Sequence, residues 1–299
     1  MISVIIPSYN SWPLIGRTLY SLEKQNYQGE YEIVVADCSN DSSNPEISAN
    51  FPKVKLIHVE QREYPGAARN RAIDASKGDI IAMIDADAEA SDSWLAVIDR
   101  NFKKEPQATG FGGAIENARD HIKAARIAHL LEFGGYTSAW SRRKVRMAPT
   151  CNLALKREIF NYARFFEEWF GNEDVLLAKK IETLGKSIIF DPDMLVFHHT
   201  RDNWEAIYEH QHNLGRDTGR CRTRFNVPGA WLARRPGASY LIPAIKYTLL
   251  LKRVLGPDRR YAIDFFSFSP RIITALNSFA SGFREGMRIE HERTENAER

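Results

Sequence analysis

The sequence predicts an α/β protein, a mostly parallel sheet flanked on both faces by helices and continued by a mainly helical C-terminal region. Three observations carry that expectation. Short apolar runs rich in β-branched residues recur at 2–6, 31–36, 54–59 and 80–84 and alternate with segments of helical character. Compact polar turns join them, and strand–helix–strand crossovers of this kind impose parallel pairing. The 299 residues, 43% hydrophobic and 26% charged, suit one large globular domain or one domain with an appendage. The division expected is 1–203 for the sheet domain and 204–299 for the helical region.

Ile2-Ser3-Val4-Ile5-Ile6 reads as a buried strand stopped by Pro7. A helix over 13–25 follows, with Pro13 suited to its first turn and Leu14, Thr18 and Leu22 on one side. The strand at 31–36 ends in Asp37-Cys38-Ser39-Asn40-Asp41-Ser42-Ser43, a loop-forming polar cluster. After the strand at 54–59, residues 66–76 read as a helix carrying Arg69 and Arg71 and closed by Gly78. The fourth run, Ile80-Ile81-Ala82-Met83-Ile84, is apolar throughout, as suits a strand buried on both faces.

That run ends in Asp85-Ala86-Asp87. On extended backbone, side chains at i and i+2 point to the same side, so both carboxylates can meet one object. Two close carboxylates repel unless a cation lies between them, and hard oxygen ligands suit Mg²⁺ or Mn²⁺. A solvated Asp-rich turn leading into a helix near Ser91 or Asp92 is the other reading. Strand ends in open α/β sheets are ligand sites, so 7–10, 37–41 and 85–87 together predict a partly acidic crevice for a nucleotide and a cation. No Gly-x-Gly-x-x-Gly follows the first strand and no Gly-Lys-Ser or Gly-Lys-Thr loop occurs, which argues against dinucleotide and P-loop sites.

Composition narrows the setting. The formal net charge of +3 carries no argument for nucleic acid, and no nucleic-acid partner is expected. Cys38, Cys151 and Cys221 are odd in number and lack metal-ligand spacing, so reduced thiols in a cytoplasmic protein are expected. Met1 runs directly into a core strand, without the pattern of a signal peptide. No uninterrupted apolar run reaches the ~18 residues of a spanning helix.

Four blocks carry a resemblance. Ile5-Ile6-Pro7-Ser8-Tyr9-Asn10, then Val34-Val35-Ala36-Asp37-Cys38-Ser39-Asn40-Asp41-Ser42, then Gly66-Ala67-Ala68-Arg69-Asn70-Arg71-Ala72, then Asp85-Ala86-Asp87 follow in order. In order and spacing they resemble family-two, inverting glycosyltransferases of the GT-A fold, a Rossmann-like mixed sheet. The second block departs from the usual Asp-Asp-Gly-Ser at Ala36 and Cys38. Downstream, 148–157 is similar to the family's Gly-x-Asn-x-x-x-Arg-Arg block, with Thr150 and Lys156 in place of the glycine and first arginine. Gly171-Asn172-Glu173-Asp174 resembles the segment supplying the general base, and the late family histidine matches His198 or His199, of which position favours His198.

The resemblance implies a nucleoside-diphosphate sugar donor (UDP or GDP), a glycan or lipid-linked acceptor, and a divalent cation. Pro7, Ser8, Tyr9, Asn10, Asp37, Asp41, Arg69, Asp85 and Asn152 would bind the donor, Asp37 at the base and Arg69 at the diphosphate. Asp87, with Asp85 and His198, would hold the cation, and Asp174 with Glu173 would supply the base. A helix start at Asp174 should lower its pKa, while Trp169 and Phe170 would pull it upward. Bland readings stay open: Asx turns for Asp37 and Asp41, a surface charge for Arg69, a turn residue for Asn152, first-turn acids for Glu173 and Asp174.

The last third is basic. From Arg201 to Arg260 there are twelve Lys or Arg and five Asp or Glu, an excess of seven (12 − 5). Residues 204–214 read as a helix followed by Gly215-Arg216, and 238–255 and 265–287 mix aromatic, apolar and basic residues. They suit either helices lying on the cytoplasmic membrane face or a packed appendage, and the charged tail from Glu290 reads as frayed. The Gln-x-x-Arg-Trp signature of processive synthases is absent, since His212-Asn213-Leu214 follows Gln211, so one sugar per encounter is expected. Two other classes compete. Haloacid dehalogenase-like phosphatases also use Asp-x-Asp, but at the first strand and followed by Thr or Val, whereas Ala88 follows here. A catalytically silent sugar-nucleotide binder would have Glu173 and Asp174 away from the crevice.

Overall fold

The computed structural model describes residues 1–168, 171–235 and 237–297. Among these, nine strands form one sheet: β1 (Ile2–Ser8), β2 (Tyr31–Asp37), β3 (Lys55–His58), β4 (Ile80–Ile84), β5 (Ala88–Ala90), β6 (Gly110–Asn117), β7 (Arg143–Val145), β8 (Asn152–Lys156) and β9 (Ile188–His198). Their order is β3-β2-β1-β4-β8-β6-β9-β5, with β7 on β9. The first four are mutually parallel, and β8 joins β4 antiparallel. The sheet is therefore mixed, with a parallel half at the N-terminal end of the chain.

Helices α1 (Leu14–Glu23), α2 (Ser43–Asn50), α3 (Pro65–Ala75), α4 (Trp94–Lys104), α5 (Lys123–Phe133) and α6 (Glu173–Thr183) interleave with the strands. One core gathers Ile5, Val34, Ile81, Met83, Leu153 and Leu155 from the sheet with Ala72 and Ile73 of α3 and Leu177 and Ile181 of α6. Ile81 and Met83 share that core at period two, while Ala82 and Ile84 are equally buried on the other face. The uniform apolarity of β4 is thus explained by cover on both sides.

The chain divides into two compact units, residues 1–116 with 136–199 and residues 117–135 with 200–299. The longer stretch of the second unit begins at residue 200, where 204 was expected. Residues 117–135, which the sequence had placed in the sheet domain, belong instead with the C-terminal helices. The reason is local packing: Ala124, Ile127, Leu130 and Leu131 of α5 share a core with Ile207, Leu250, Val254, Tyr261, Phe265 and Leu276.

The second unit holds α7 (Trp204–Arg224), α8 (Trp231–Arg234), α9 (Ile242–Val254), α10 (Ala262–Ser267) and α11 (Ser269–Ala297). Helix α7 does not stop near Leu214, because Gly215 and Gly219 serve packing rather than termination. A Cβ at either would lie 2.0 or 2.1 Å from the carbonyl oxygen of Phe279 or Phe283 on α11. Gly282 and Gly286 return the contact against His212 and Arg216, at 1.9 Å each. Two Gly-x-x-x-Gly faces thus let the backbones meet. The tail is not frayed over the described residues: α11 continues to Ala297, and buried Glu290 accepts from Arg220 at 2.9 Å.

Other corrections are small. Pro7 lies inside β1, paired with Ala36, where pairing of β1 with β4 has already ended at Ile5↔Met83. The missing N–H therefore costs no ladder bond to β4. Asp85-Ala86-Asp87 is a turn rather than extended chain, closed by the Ala88 amide donating to the Asp85 carbonyl at 3.2 Å. Helix α2 begins inside the segment read as loop.

Candidate active site

The carboxyl ends of β2, β1 and β4 lie side by side, and the register Ser8↔Asp37 aligns the first two. Asp37 is 0% exposed. Its Oδ1 accepts from the hydroxyls of Ser8 at 2.7 Å and Ser39 at 2.6 Å. Its Oδ2 lies 3.4 Å from the Ser39 amide and 3.3 Å from His58 Nδ1. Through these contacts Asp37 ties the two loops together, its carboxylate engaged inside the protein where a contact to a base was expected. Asp41 is exposed and accepts from the Ser43 amide at 2.9 Å, an Asx turn entering α2.

Asn10 completes the loop. Its φ of 47° lies in the left-handed region, its amide donates to Ser39 Oγ at 2.7 Å, and its Oδ1 accepts from Asn40 at 3.0 Å. Beside it, Tyr9 is 36% exposed and carries the Arg62 guanidinium 4.2 Å over its ring. That flat cationic–aromatic pair is accessible at this end of the sheet. Arg62 was not singled out from sequence, where it sits in a featureless charged loop.

Arg69 also departs from expectation. It does not face outward toward a diphosphate: it is buried on α3, and its two terminal nitrogens are spent on carboxylates. Nη1 donates to Glu173 Oε1 and Nη2 to Asp85 Oδ1, each at 2.7 Å. One guanidinium thus fastens the first residue of α6 to the turn after β4, bringing the two acidic motifs into one place. Fixed fork geometry makes arginine suited to such bridging.

Asp174, next along α6, is only partly covered, and its Oδ1 accepts from the Val175 amide at 2.7 Å. Desolvation first, then the charge of Glu173, pushes its pKa up to about 7. The helix-start amide and Arg69 oppose the shift without reversing it, so the lowering expected from the helix start is overruled. Trp169 and Phe170 lie outside the described residues.

Asp87 and His198 meet at 3.3 Å between Oδ1 and Nε2, because Ala88 pairs with His198 across β5 and β9. His199 turns instead to Glu89, at 2.6 Å. Ligand atoms of Asp85, Cys151 and His198 lie within 4.8 Å of one another. The structure therefore brings together all three residues expected around a cation and adds Cys151, which precedes β8. Burial, then the charges of Asp85 and Asp87, holds the Cys151 thiol well above the ordinary thiol range. Sequence spacing gave no sign of this thiol, because its neighbours come from two other strand ends.

Asn152 is the remaining correction. It is wholly buried, its amide donates to the carbonyls of Ala114 at 2.7 Å and Met194 at 2.8 Å, and its Oδ1 accepts from Trp94 Nε1 at 2.9 Å. It fastens β6, β9 and α4 to β8 and does not reach the crevice to touch a sugar.

Residues 3–163 match the family model described as Glycosyl transferase family 2. Over 215 residues the chain is 26% identical to Glycosyltransferase AglE of Haloferax volcanii, an alignment spanning 69% of each protein. It is 22% identical over 180 residues to the GalNAc(5)-diNAcBac-PP-undecaprenol beta-1,3-glucosyltransferase of Campylobacter jejuni, spanning 58% of each. In fold it is similar to the mannosyltransferase PcManGT of Pyrobaculum calidifontis, solved in complex with GDP-Man and Mn²⁺. That superposition has a TM-score of 0.62 at 19% identity and covers 96% of this chain and 86% of the other.

Proposed function

The chain belongs to glycosyltransferase family 2, is a glycosyltransferase of the GT-A fold, and from that premise we propose an inverting, cation-dependent, non-processive transfer. A single sugar would pass from a nucleoside-diphosphate sugar, with uracil or guanine as base, to a hydroxyl of a glycan or lipid-linked acceptor. The observation that carries the reading is the Arg69 bridge, which joins Asp85 and Glu173 at 2.7 Å each. It sets the acid pair of α6 beside the aspartates of the β4 turn, as catalysis requires and a silent binder would not.

The donor set fits a divalent cation: two carboxylates and an imidazole converge from the turn after β4 and the end of β9. Asp85, Asp87 and His198 would hold it, and when bound it supplies positive charge to the departing diphosphate. Asp174 takes the proton of the acceptor hydroxyl as that oxygen attacks the anomeric carbon, and its pKa near 7 is suited to a base at neutral pH. Glu173, neutralised by Arg69, holds the start of α6 in position. Tyr9, backed by Arg62, offers a face on which a nucleotide base can stack.

Among the described residues no helix is long and apolar enough to cross a membrane. The second unit nonetheless exposes several apolar side chains. Leu241, Leu249 and Leu255, with Lys252, are exposed on α9 and at its ends, and Ile263 and Phe266 on α10, the former 81% exposed. With the excess of seven positive charges over 201–260, this surface matches an anionic bilayer and favours a lipid-linked acceptor.

Thermal shift with nucleoside diphosphates and Mn²⁺ tests the reading. A ligand at a hundred times its Kd stabilises by ~2.7 kcal/mol. Asp87→Ala should abolish the Mn²⁺-dependent part, and nucleotide affinity unchanged in EDTA would reject cation dependence.

A further inference from the structure

We propose that Cys151 is a ligand of the cation site, so that this chain takes thiophilic divalent cations such as Co²⁺, Zn²⁺ and Cd²⁺ through a thiolate. The inference rests on the reading of Asp85, Asp87 and His198 as the cation's holders and extends it to a side chain of a different chemical class.

Backbone register makes the placement robust. The antiparallel pair Ile84↔Asn152 ends β4 and begins β8, so the next residues outward, Asp85 and Cys151, lie opposite each other. His198 closes β9, and its neighbour across the ladder, Ala88, follows the same acidic turn. Three strand ends thus deliver a carboxylate, a thiol and an imidazole whose ligand atoms lie within 4.8 Å of one another. Ligands of one ion, at ~2.0–2.3 Å from it, stand no more than ~4.5 Å apart, so slight rotation of these side chains suffices. Cys151 is buried, which shields it from solvent oxidants, and on this side it faces charged donors rather than an apolar pocket.

Hard cations ignore sulfur, whereas borderline and soft ones prefer it. Coordination replaces the S–H bond by an S–metal bond and releases one proton to solvent for each cation bound. Oxygen and nitrogen donors alone would accept Mn²⁺ or Mg²⁺ with little distinction by softness. The thiol adds selectivity toward Co²⁺, Zn²⁺ and Cd²⁺ without altering the other three ligands.

The test is a Co²⁺ titration of the full-length protein followed by absorption. The visible ligand-field bands report cobalt in the site, and the near-ultraviolet thiolate-to-cobalt band reports sulfur coordination. Wild type should show both. Cys151→Ser should keep the visible bands and lose the thiolate band, and its Zn²⁺ affinity should fall about tenfold or more while Mn²⁺ affinity holds. Cys38→Ser and Cys221→Ser should leave both bands intact. In unsubstituted protein, bound Cd²⁺ should raise an ultraviolet thiolate-to-cadmium band, a measurement that needs no variant to fold. Visible bands without a thiolate band in wild type, or Cd²⁺ binding without a thiolate-to-cadmium band, would overturn the role of Cys151 and leave the site reading intact. Absence of all cobalt bands would reject the site itself and this inference with it.

Discussion

Replacing Arg69 by Met tests the bridge on which the site is built. Met keeps much of the side chain's length but removes a buried cation whose two terminal nitrogens each contact a carboxylate at 2.7 Å. With charge centres about 4 Å apart and an effective dielectric near 20, each attraction is worth ~4 kcal/mol, ~8 kcal/mol for the pair. Desolvating the guanidinium takes back several kcal/mol, so the expected net cost is ~3–5 kcal/mol, the usual range for breaking a buried ion pair. The lower end is favoured, because the Asp85 side chain retains 30% exposure and can rehydrate. At roughly 2–4 °C per kcal/mol the melting temperature of Arg69→Met should fall by roughly 6–20 °C, toward the lower end. Circular dichroism melting of the variant beside wild type measures this. Arg69→Met combined with Glu173→Gln should recover part of the loss, since the neutral amide no longer leaves a buried charge unpaired. A single variant melting within about 2 °C of wild type, or a double variant losing the sum of both costs, would refute the bridge as a stabilising element.

Two further outcomes follow from the same geometry. As a base, Asp174 must be unprotonated to act, so kcat should rise as pH passes upward through about 7, and Asp174→Asn should lose that limb. Turnover should drop by ~10²–10⁴ with donor binding nearly intact, and normal turnover in Asp174→Asn with loss in Glu173→Gln would move the role one residue back. On vesicles containing anionic lipid, wild type should float at low salt, and Leu249→Asp with Ile263→Asp and Phe266→Asp should not. Equal flotation of both would reject the α9–α10 surface as the membrane contact.

Backbone order and the acidic motifs were legible because they depend on local patterns. The four parallel strands follow from runs of apolar residues, and α6 begins where Asn172-Glu173-Asp174 suggests. What escaped was set by contacts across long separations. The burial of Arg69 requires Glu173, 104 residues away, and nothing in Gly66-Ala67-Ala68-Arg69 distinguishes a guanidinium aimed inward from one aimed at a ligand. Asn152 looked like a crevice residue because amides suit sugars, yet three buried partners from distant segments use its hydrogen-bonding groups. Gly215 read as a stop and proved to be a point of helix contact, since the absence of a Cβ signals both. The C-terminal helices hid their partner α5, because amphipathic patterns show a face and not what covers it.

The raised pKa of Asp174 exposes how the site is balanced. Counted by formal charge, Asp85, Asp87, Glu173 and Asp174 set four carboxylates against the single guanidinium of Arg69, a net of −3 (1 − 4). A helix N-terminus worth about half a charge cannot offset that excess, whatever the local sequence suggests. Desolvation and the neighbouring acid therefore prevail over the helix start, and the pKa is raised to about 7. The same excess of negative charge is what makes the β4 turn attractive to a cation. Arg69 pairs with one oxygen each of Asp85 and Glu173 and so ties the β4 turn to the start of α6. On the proposed reading, cation site and base would share one electrostatic assembly, joined by the residue that the sequence alone made look like a ligand contact.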